Sequence, residues 1–350
     1  PKGVIINESN VLAQIETLHI SLSWAPGFTS VKWLPLYHDM GLVTMVFSPI
    51  VEGYHSMIMS PMSFIRSPYN FLKAIERYGA YLTTMPNFGL KHALTRLTDA
   101  ELDSLDLSCL KQLCCGAEPI NSIIVDEFKE KFKAAGLDGN YFLPCYGMAE
   151  TVLMITMTDQ RKGDSYLEFS KAALSKGKLD QDEGEDASAI YACGNTWNDT
   201  QLIIVDSKSN KELSEGMIGE VWVSGSTVAE GYYNQPTLTE KICKAFTDKG
   251  QGPFLRTGDL GALINNNLYI TGRLKDMIIV RGGNIYPEDV ELMISGLFTT
   301  DEISQSVVFG HIEEGTERII ILLTTTILDT TLFWVLMVEK PFALAPATTP

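Results

Sequence analysis

The 350-residue chain carries 27 basic and 43 acidic side chains, a formal net charge of −16, with 45% hydrophobic and 9% aromatic residues. That length and apolar content suit two domains with a sizeable core and exclude a disordered protein. The acidic balance argues against nucleic acid or an anionic membrane as the main partner, so any anionic ligand must be met by local cations and backbone amides.

The opening PKGVIINESN has neither an initiator Met nor the charged-then-apolar layout of a signal peptide, and reads as a piece of something longer. Helical and extended signals then alternate, the pattern of an α/β protein. Ser67-Pro68 predicts an N-cap and first helical position, Phe71, Leu72, Ile75 and Tyr78 share a face, and Gly79 ends the helix. AYLTTMPNF follows as an extended segment, and LKQLCCGAEPI as an apolar strand entering a Gly-containing turn. A second helix runs from Ser122, with Ile124, Val125, Phe128, Phe132 and Ala135 inward, to Gly136. Asp159 to Ala189 is polar, with KGKLDQDEGEDAS at its heart, and is expected to be a solvated loop. From Gln201 the short runs QLIIVD, GEVWVSG and NNLYITG, separated by Asn, Ser and Gly turns, predict a strand-rich subdomain over 195–271. Ile319 to Val338 is twenty residues with one charge, Asp329, long enough to span a bilayer. Its Thr content and a central carboxylate, which costs about 2.5 to 3.5 kcal/mol on insertion scales, favour a buried strand from Arg318 to Leu323 and an atypical tail.

Six cysteines show neither CxxC pairs nor a paired His spacing, so reduced thiols in a cytoplasmic protein are expected and no zinc site is indicated. Chemistry concentrates in four short blocks. YGMAET, 146–151, follows the apolar YFLPC as a strand end, a Gly turn and an exposed Glu-Thr. Mg²⁺ binds through one or two carboxylates with hydroxyl and substrate phosphates, which Glu150 and Thr151 suit; an ordinary loop with a solvated Glu fits the hexapeptide as well. RTGDLG, 256–261, puts Asp259 in a tight turn, either to accept from the hydroxyls of a ribose or to bond its own backbone. GAEPI, 116–120, offers Gly116 as open backbone for a flat base, or as a plain strand-to-helix connection. Arg273 and Lys275, where the strand-rich region ends, are an anion site or a surface face.

The order of PKGV, WLPLYHDMGL, PNF, GAEP, YGMAET, RTGDLG and GRLKDMIIVRGGNIYPEDVE resembles the acyl-adenylate-forming enzymes over residues 1–320. WLPLYHDMGL, FIRSPYNFLKAIERYGAYLTTMPNF and the polar insert with LEFSKAALSKGK point to the fatty acyl-AMP ligases within them. The resemblance implies an α/β fold: a large N-terminal adenylation domain with mixed sheets and helices plus a barrel-like strand-rich subdomain, then the start of a small α+β C-terminal domain. The implied domains are 1–274, partial, and 275–350, incomplete. It implies ATP and Mg²⁺ as cofactors, a fatty acid as substrate, and an acyl carrier protein or CoA thiol as acceptor. By the same resemblance Tyr146 packs on adenine, with Gly147 beside it, and Gly116, Ala117 and Glu118 run along the other face. Glu150 holds Mg²⁺, Thr151 contacts phosphate, Asp259 binds ribose, and Arg273 holds the ribose and phosphate side. Lys275 falls on a hinge between domains, His38 sits between acyl and nucleotide pockets, and Lys2 remains from a phosphate loop. Met85, Phe88 and Leu90 are candidates for an acyl tunnel or for ordinary core. The apolar run Met277 to Val280 becomes the first strand of the next domain, and Pro287 starts its helix with Glu288, Asp289 and Glu291 at the favourable end.

Two departures bear on activity. The phosphate loop of the family should precede PKGV, and no lysine after Leu323, Lys340 included, stands in the surroundings of the family's C-terminal catalytic lysine. These 350 residues alone are therefore expected to adenylate poorly. An acyl-AMP ligase, an acyl-CoA synthetase and a non-catalytic nucleotide- or lipid-binding module are the three readings, distinguished by the insert and by that lysine.

Overall fold

The structure, a computed structural model, describes residues 2–24, 27–184, 187–280, 283–285, 287, 290–291, 294, 305–313, 316–327 and 330–338. Its largest element is a seven-stranded sheet in the order Asn195–Thr196, Met154–Met157, Phe142–Gly147, Gln112–Cys115, Leu82–Thr84, Thr29–Lys32, His55–Ile58. From Phe142–Gly147 to His55–Ile58 the pairing is parallel, and the other two strands run antiparallel. Strands covered on both faces bury every side chain, and Leu82–Thr84 and Gln112–Cys115 are buried at every residue, with Thr83 and Gln112 bonded to the Val31 and Leu22 carbonyls. The carboxyl ends of parallel strands form one edge of such a sheet, where ligand clefts open.

The helix Pro68–Tyr78 starts and stops as its sequence predicts: Ser67 Oγ accepts from Asn70 N at 3.3 Å, and Gly79 closes it with φ +57°. Phe71, Leu72 and Ile75 are buried, but Tyr78, placed on the same face by sequence, is 42% exposed beneath Arg77. One turn beyond the buried stripe, its ring has passed the edge of the core. The second helix, Ser122–Phe132 with a 3₁₀ turn to Ala135, buries Val125, Phe128, Phe132 and Ala135 and stops at Gly136. Ahead of both helices in the chain is a π-helical turn without a sequence signal, Val43–Phe47, in which Ser48 N reaches back to the Val43 carbonyl.

The strand-rich region is a four-stranded antiparallel sheet, Gln201–Val205, Gly219–Ser224, Leu255–Ile264 and Asn267–Arg273, open among the described residues. Asn265 and Asn266, both at positive φ, make its last hairpin turn. The polar insert is not the solvated loop expected. Tyr166–Ser170 pairs with Ala187–Tyr191, and Phe169, Leu174 and Leu179 form a core with Ala192, Ala262 and Tyr269. Its apolar residues are few but regularly placed, so mean composition hides them.

Ile278–Val280 pairs with Gly283–Ile285, and Pro287, Val290, Glu291 and Ile294 are helical; Glu288 and Asp289 lie outside the described residues. Gln305–Glu313, Thr316–Ile327 and Thr330–Val338 form an antiparallel sheet, so the expected strand at 318–323 is longer and the apolar stretch after it is a second strand. Among the described residues no helix is long and apolar enough to cross a membrane. Asp329 and Lys340 lie outside them. Ile278, Val290, Ile294, Val308, Ile319, Ile321 and Leu323 pack as their own cluster.

Candidate active site

A cavity of about 220 Å³ opens at the carboxyl edge of the large sheet. Leu18, Leu22, Trp24, Leu82, Leu153 and Met154 give it apolar walls, and His38, Asp39, Ala117, Tyr146, Gly147 and Arg273 carry its polar side. Met85, Phe88 and Leu90 do not line it: Met85 and Leu90 are core, and Phe88 is exposed at the start of the helix Asn87–Arg96.

Tyr146 is held at the end of its strand by geometry that only glycine permits next to it. A Cβ at Gly147 would collide with the Leu153 carbonyl oxygen, because the strand Met154–Met157 turns back against this residue. The Tyr146 hydroxyl donates to Asp259 Oδ2 at 2.6 Å. Asp259 lies within the strand Leu255–Ile264, not in the tight turn its RTGDLG context suggests. The signal misled because Gly258, at φ +77°, and a bulge between Leu260 and Gly261 break the strand's regularity without ending it. Register places Asp259 opposite Arg273, whose Nε stands 3.4 Å from Oδ1. Burial raises the Asp259 carboxyl above the usual carboxylate range, with Glu150 and Asp276 adding to the effect and Tyr146 and Arg273 opposing it. Burial, then the Asp259 charge, pushes the Tyr146 phenol well up, so it stays a donor.

Glu150 sits on a 3₁₀ turn, Ala149–Thr151, and accepts from the Tyr232 hydroxyl at 2.7 Å. The next residue but one, Val152, has φ +65°, a backbone conformation costly for a β-branched side chain; strain of this kind collects at functional sites. Thr151, expected to be exposed beside Glu150, is fully buried with its hydroxyl on the Met148 carbonyl at 3.0 Å. Lys2 lies 4.8 Å from the centre of the Tyr232 ring, brought there because Val4–Ile5 pairs with Gly231–Tyr232. The amino-terminal cation and Glu150 therefore meet across one tyrosine.

His38 caps the short helix Asp39–Leu42: its Nδ1 accepts from Met40 N at 3.2 Å and lies 2.7 Å from Asp39 Oδ1. The same Met40 N–H reaches Asp39 Oδ1 at 2.6 Å, so one backbone donor serves both side chains. Burial raises the Asp39 carboxyl and Glu150 raises it further, while His38 opposes them. Gly116 is packed, not open: a Cβ there would lie 2.6 Å from the Cys145 carbonyl oxygen. Ala117, at φ +72°, turns the chain into the cavity, and Glu118 turns away to accept from Phe88 N at 2.6 Å. Lys275 is exposed on the turn after Arg273.

Three site residues escaped sequence reasoning. Asp39 was visible inside YHDMGL but overshadowed by His38. Tyr232, in EGYYN, has no local signal, because its role comes from a strand pairing with residues more than two hundred positions away. Lys32, fully buried in the cavity wall, reads in sequence as the end of a strand. Among the described residues no group of three or more His, Cys, Asp or Glu could hold a metal by itself. Mg²⁺ asks for less, one or two carboxylates and substrate phosphates, and Glu150, with Tyr232 as the one hydrogen-bond donor to its carboxylate among the described residues, fits that requirement.

The chain is 34% identical to the medium-chain-fatty-acid [acyl-carrier-protein] ligase TtuA of Teredinibacter turnerae, over 85% of this chain and 48% of the relative. A structure from work on fatty acyl-adenylate ligases of E. coli and L. pneumophila superposes with a TM-score of 0.84 at 30% identity, covering 94% of this chain and 58% of that one. The L. pneumophila fatty acyl-adenylate ligase in complex with acyl adenylate and pyrophosphate gives 0.78 at 32% identity, over 93% and 57%. The chain spans about half the length of the curated relatives it matches. Residues 1–233 match the model of the AMP-binding enzyme family, and the chain belongs to that family.

Proposed function

We propose that the whole protein activates a fatty acid with ATP, forming acyl-AMP and pyrophosphate, and passes the acyl group to the thiol of an acyl carrier protein. The observation that carries this reading is the joining of Tyr146, Asp259 and Arg273 in one hydrogen-bonded and ionic chain beside a cavity with an apolar wall of Leu18, Leu22, Trp24, Leu82, Leu153 and Met154. An adenylate needs both surfaces at once. The similarity to a ligase named for medium-chain fatty acids and acyl carrier protein supports the same reading.

In the first reaction a carboxylate oxygen attacks the α-phosphorus of ATP and pyrophosphate leaves. The protein has to align two anions and offset charge as it develops. Tyr146 and Ala117 border the adenine, and Asp259 receives the ribose hydroxyls with Tyr146 and Arg273 fixing its orientation. Arg273 and Lys2 supply positive charge on the phosphate side. Glu150 would hold Mg²⁺, which neutralises phosphate charge when bound. His38 and Asp39 stand where the acyl and nucleotide parts meet, held there by the Met40 N–H. Thr151 supports the Glu150 turn from beneath. In this reading residues 1–274 form the adenylation domain, the separate core from Ile278 onward starts the next, and Lys275 lies on the hinge.

The test is fatty-acid-dependent exchange of pyrophosphate into ATP by the full-length protein, followed by transfer to carrier protein or to CoA. No exchange with any fatty acid would refute acyl-AMP formation; efficient acyl-CoA release would assign the acceptor to CoA instead.

A further inference from the structure

Lys32 ends the strand Thr29–Lys32 and is 1% exposed, in the wall of the same cavity as Leu18, Leu22, Trp24, Thr84 and Cys114. Its Nζ donates to the Thr44 carbonyl at 3.0 Å, its one hydrogen bond among the described residues. That carbonyl is available for a definite reason. In the π-helical turn Ser48 N bonds Val43, and the residue five beyond Thr44 is Pro49, which has no N–H. Satisfying the carbonyl does not require an ammonium, however, because the Tyr54 hydroxyl donates to the same oxygen at 2.9 Å.

An ammonium has three N–H donors, and a buried one without a counter-charge is unfavourable by several kcal/mol in general. Among the described residues no carboxylate pairs with Lys32, and the Cys114 thiol, pushed up to about 12 by burial, is neutral at ordinary pH. Burial brings Lys32 itself down to about 7, which marks a site that gains from any acceptor placed beside it. A plain hydrocarbon chain in this cavity leaves the remaining N–H groups without a partner. An oxygen on that chain would supply it.

Resting on the acyl-adenylate reading, we propose that Lys32 is a specificity-determining residue that recognises an oxygen acceptor, a hydroxyl or a second carboxylate, on the distal part of the acyl chain. The preferred acid is then an oxygen-substituted chain and not a plain alkanoic acid.

The experiment uses three acyl-sulfamoyl adenosines of equal chain length, ending in methyl, hydroxyl or carboxylate, titrated calorimetrically into the full chain and into Lys32→Met. The oxygen-tipped mimics should bind the wild type on the order of 10- to 100-fold more tightly than the methyl-tipped one, and Lys32→Met should reverse that order. Preference for carboxylate over hydroxyl would identify a diacid, and the opposite a hydroxy acid. Methyl-tipped binding equal to or tighter than both others in the wild type overturns the proposal, with no variant needed. Equal weakening of all three by Lys32→Met overturns it too. If none binds, the adenylate reading fails and takes this inference with it, a result distinct from an inverted ranking.

Discussion

Lys32 and Glu220 are buried alike, 1% and 2% exposed, in the two main sheets, yet their surroundings are opposite. Glu220, within the antiparallel strand Gly219–Ser224, accepts from Trp222 Nε1 at 3.0 Å and from Arg256 through Nε at 3.0 Å and Nη2 at 2.6 Å. Its charge is fully compensated by donors of the same sheet, so the arrangement is complete without a ligand. Lys32 faces one shared carbonyl and a cavity. Burial alone therefore says little about a charged group; what compensates it separates a structural pair from a group that lacks a partner in the chain.

The largest effect expected from this contrast is on the paired charge. Arg256→Met leaves Glu220 buried with only the indole N–H, and should lower the unfolding free energy by about 3–5 kcal/mol in urea titrations. A loss under 1 kcal/mol would show that water or a rearranged side chain reaches Glu220. Next is the lone charge, with the opposite sign. Lys32→Met should stabilise the protein by roughly 1–4 kcal/mol at pH 6, since an isosteric apolar side chain removes a desolvated cation.

The pH dependence checks that assignment. With a folded value of about 7 against 10.5 unfolded, Lys32 binds fewer protons in the native state between those limits, so wild-type stability rises with pH there. Below pH 7 the full penalty applies, and the advantage of Lys32→Met should shrink by about 2 kcal/mol between pH 7 and 9. That window avoids Cys114, whose raised value lowers stability only above its unfolded 9.0. A pH-independent difference between the two proteins would mean that Lys32 titrates normally.

Much of this site was legible in sequence, and the rest was hidden for physical reasons. YGMAET, RTGDLG and GRLKD each leave an ordinary loop or surface reading open; their order, through its resemblance to the acyl-adenylate-forming enzymes, singles out Tyr146, Asp259 and Arg273, which the structure brings together. The helix from Pro68 was equally readable, because Ser67 and Gly79 act within one turn of themselves. Lys32 could not be found this way. In TSVKW a terminal lysine looks like a charge leaving a strand for solvent, and only the neighbouring strands and the π-helical turn enclose it. Tyr232 and the insert's buried Phe169 fail similarly, since pairing partners far along the chain decide their environment. Thr151 shows the converse: the motif suggests an exposed hydroxyl for metal or phosphate, and the fold buries it against the Met148 carbonyl.

At the polar side of the cavity the same question, which partner compensates a charge, gives a smaller effect. Tyr232→Phe removes the one donor to the Glu150 carboxylate among the described residues while keeping the ring under Lys2. A single hydrogen bond to a charged group is worth about 1.5 kcal/mol, so kcat/KM for MgATP in pyrophosphate exchange should fall roughly tenfold. Thermal stability should hardly change. If Glu150 is unconnected with the metal, the Mg²⁺ concentration giving half-maximal rate will be the same in both proteins; a shift is expected.

The smallest effect is the most direct probe of the shared carbonyl. In wild type, Tyr54→Phe removes one of two donors to Thr44 O and leaves Lys32 bonded to it. In the Lys32→Met background the same change removes the last side-chain donor from a buried acceptor that Pro49 cannot satisfy. The loss of stability should therefore be larger in the second background, with a coupling of about 0.5–1 kcal/mol from a double-mutant cycle. Additivity would mean that the carbonyl finds water when either donor leaves. In that case the ammonium, too, has water within reach, and the cavity wall at Lys32 is wetter than its burial implies.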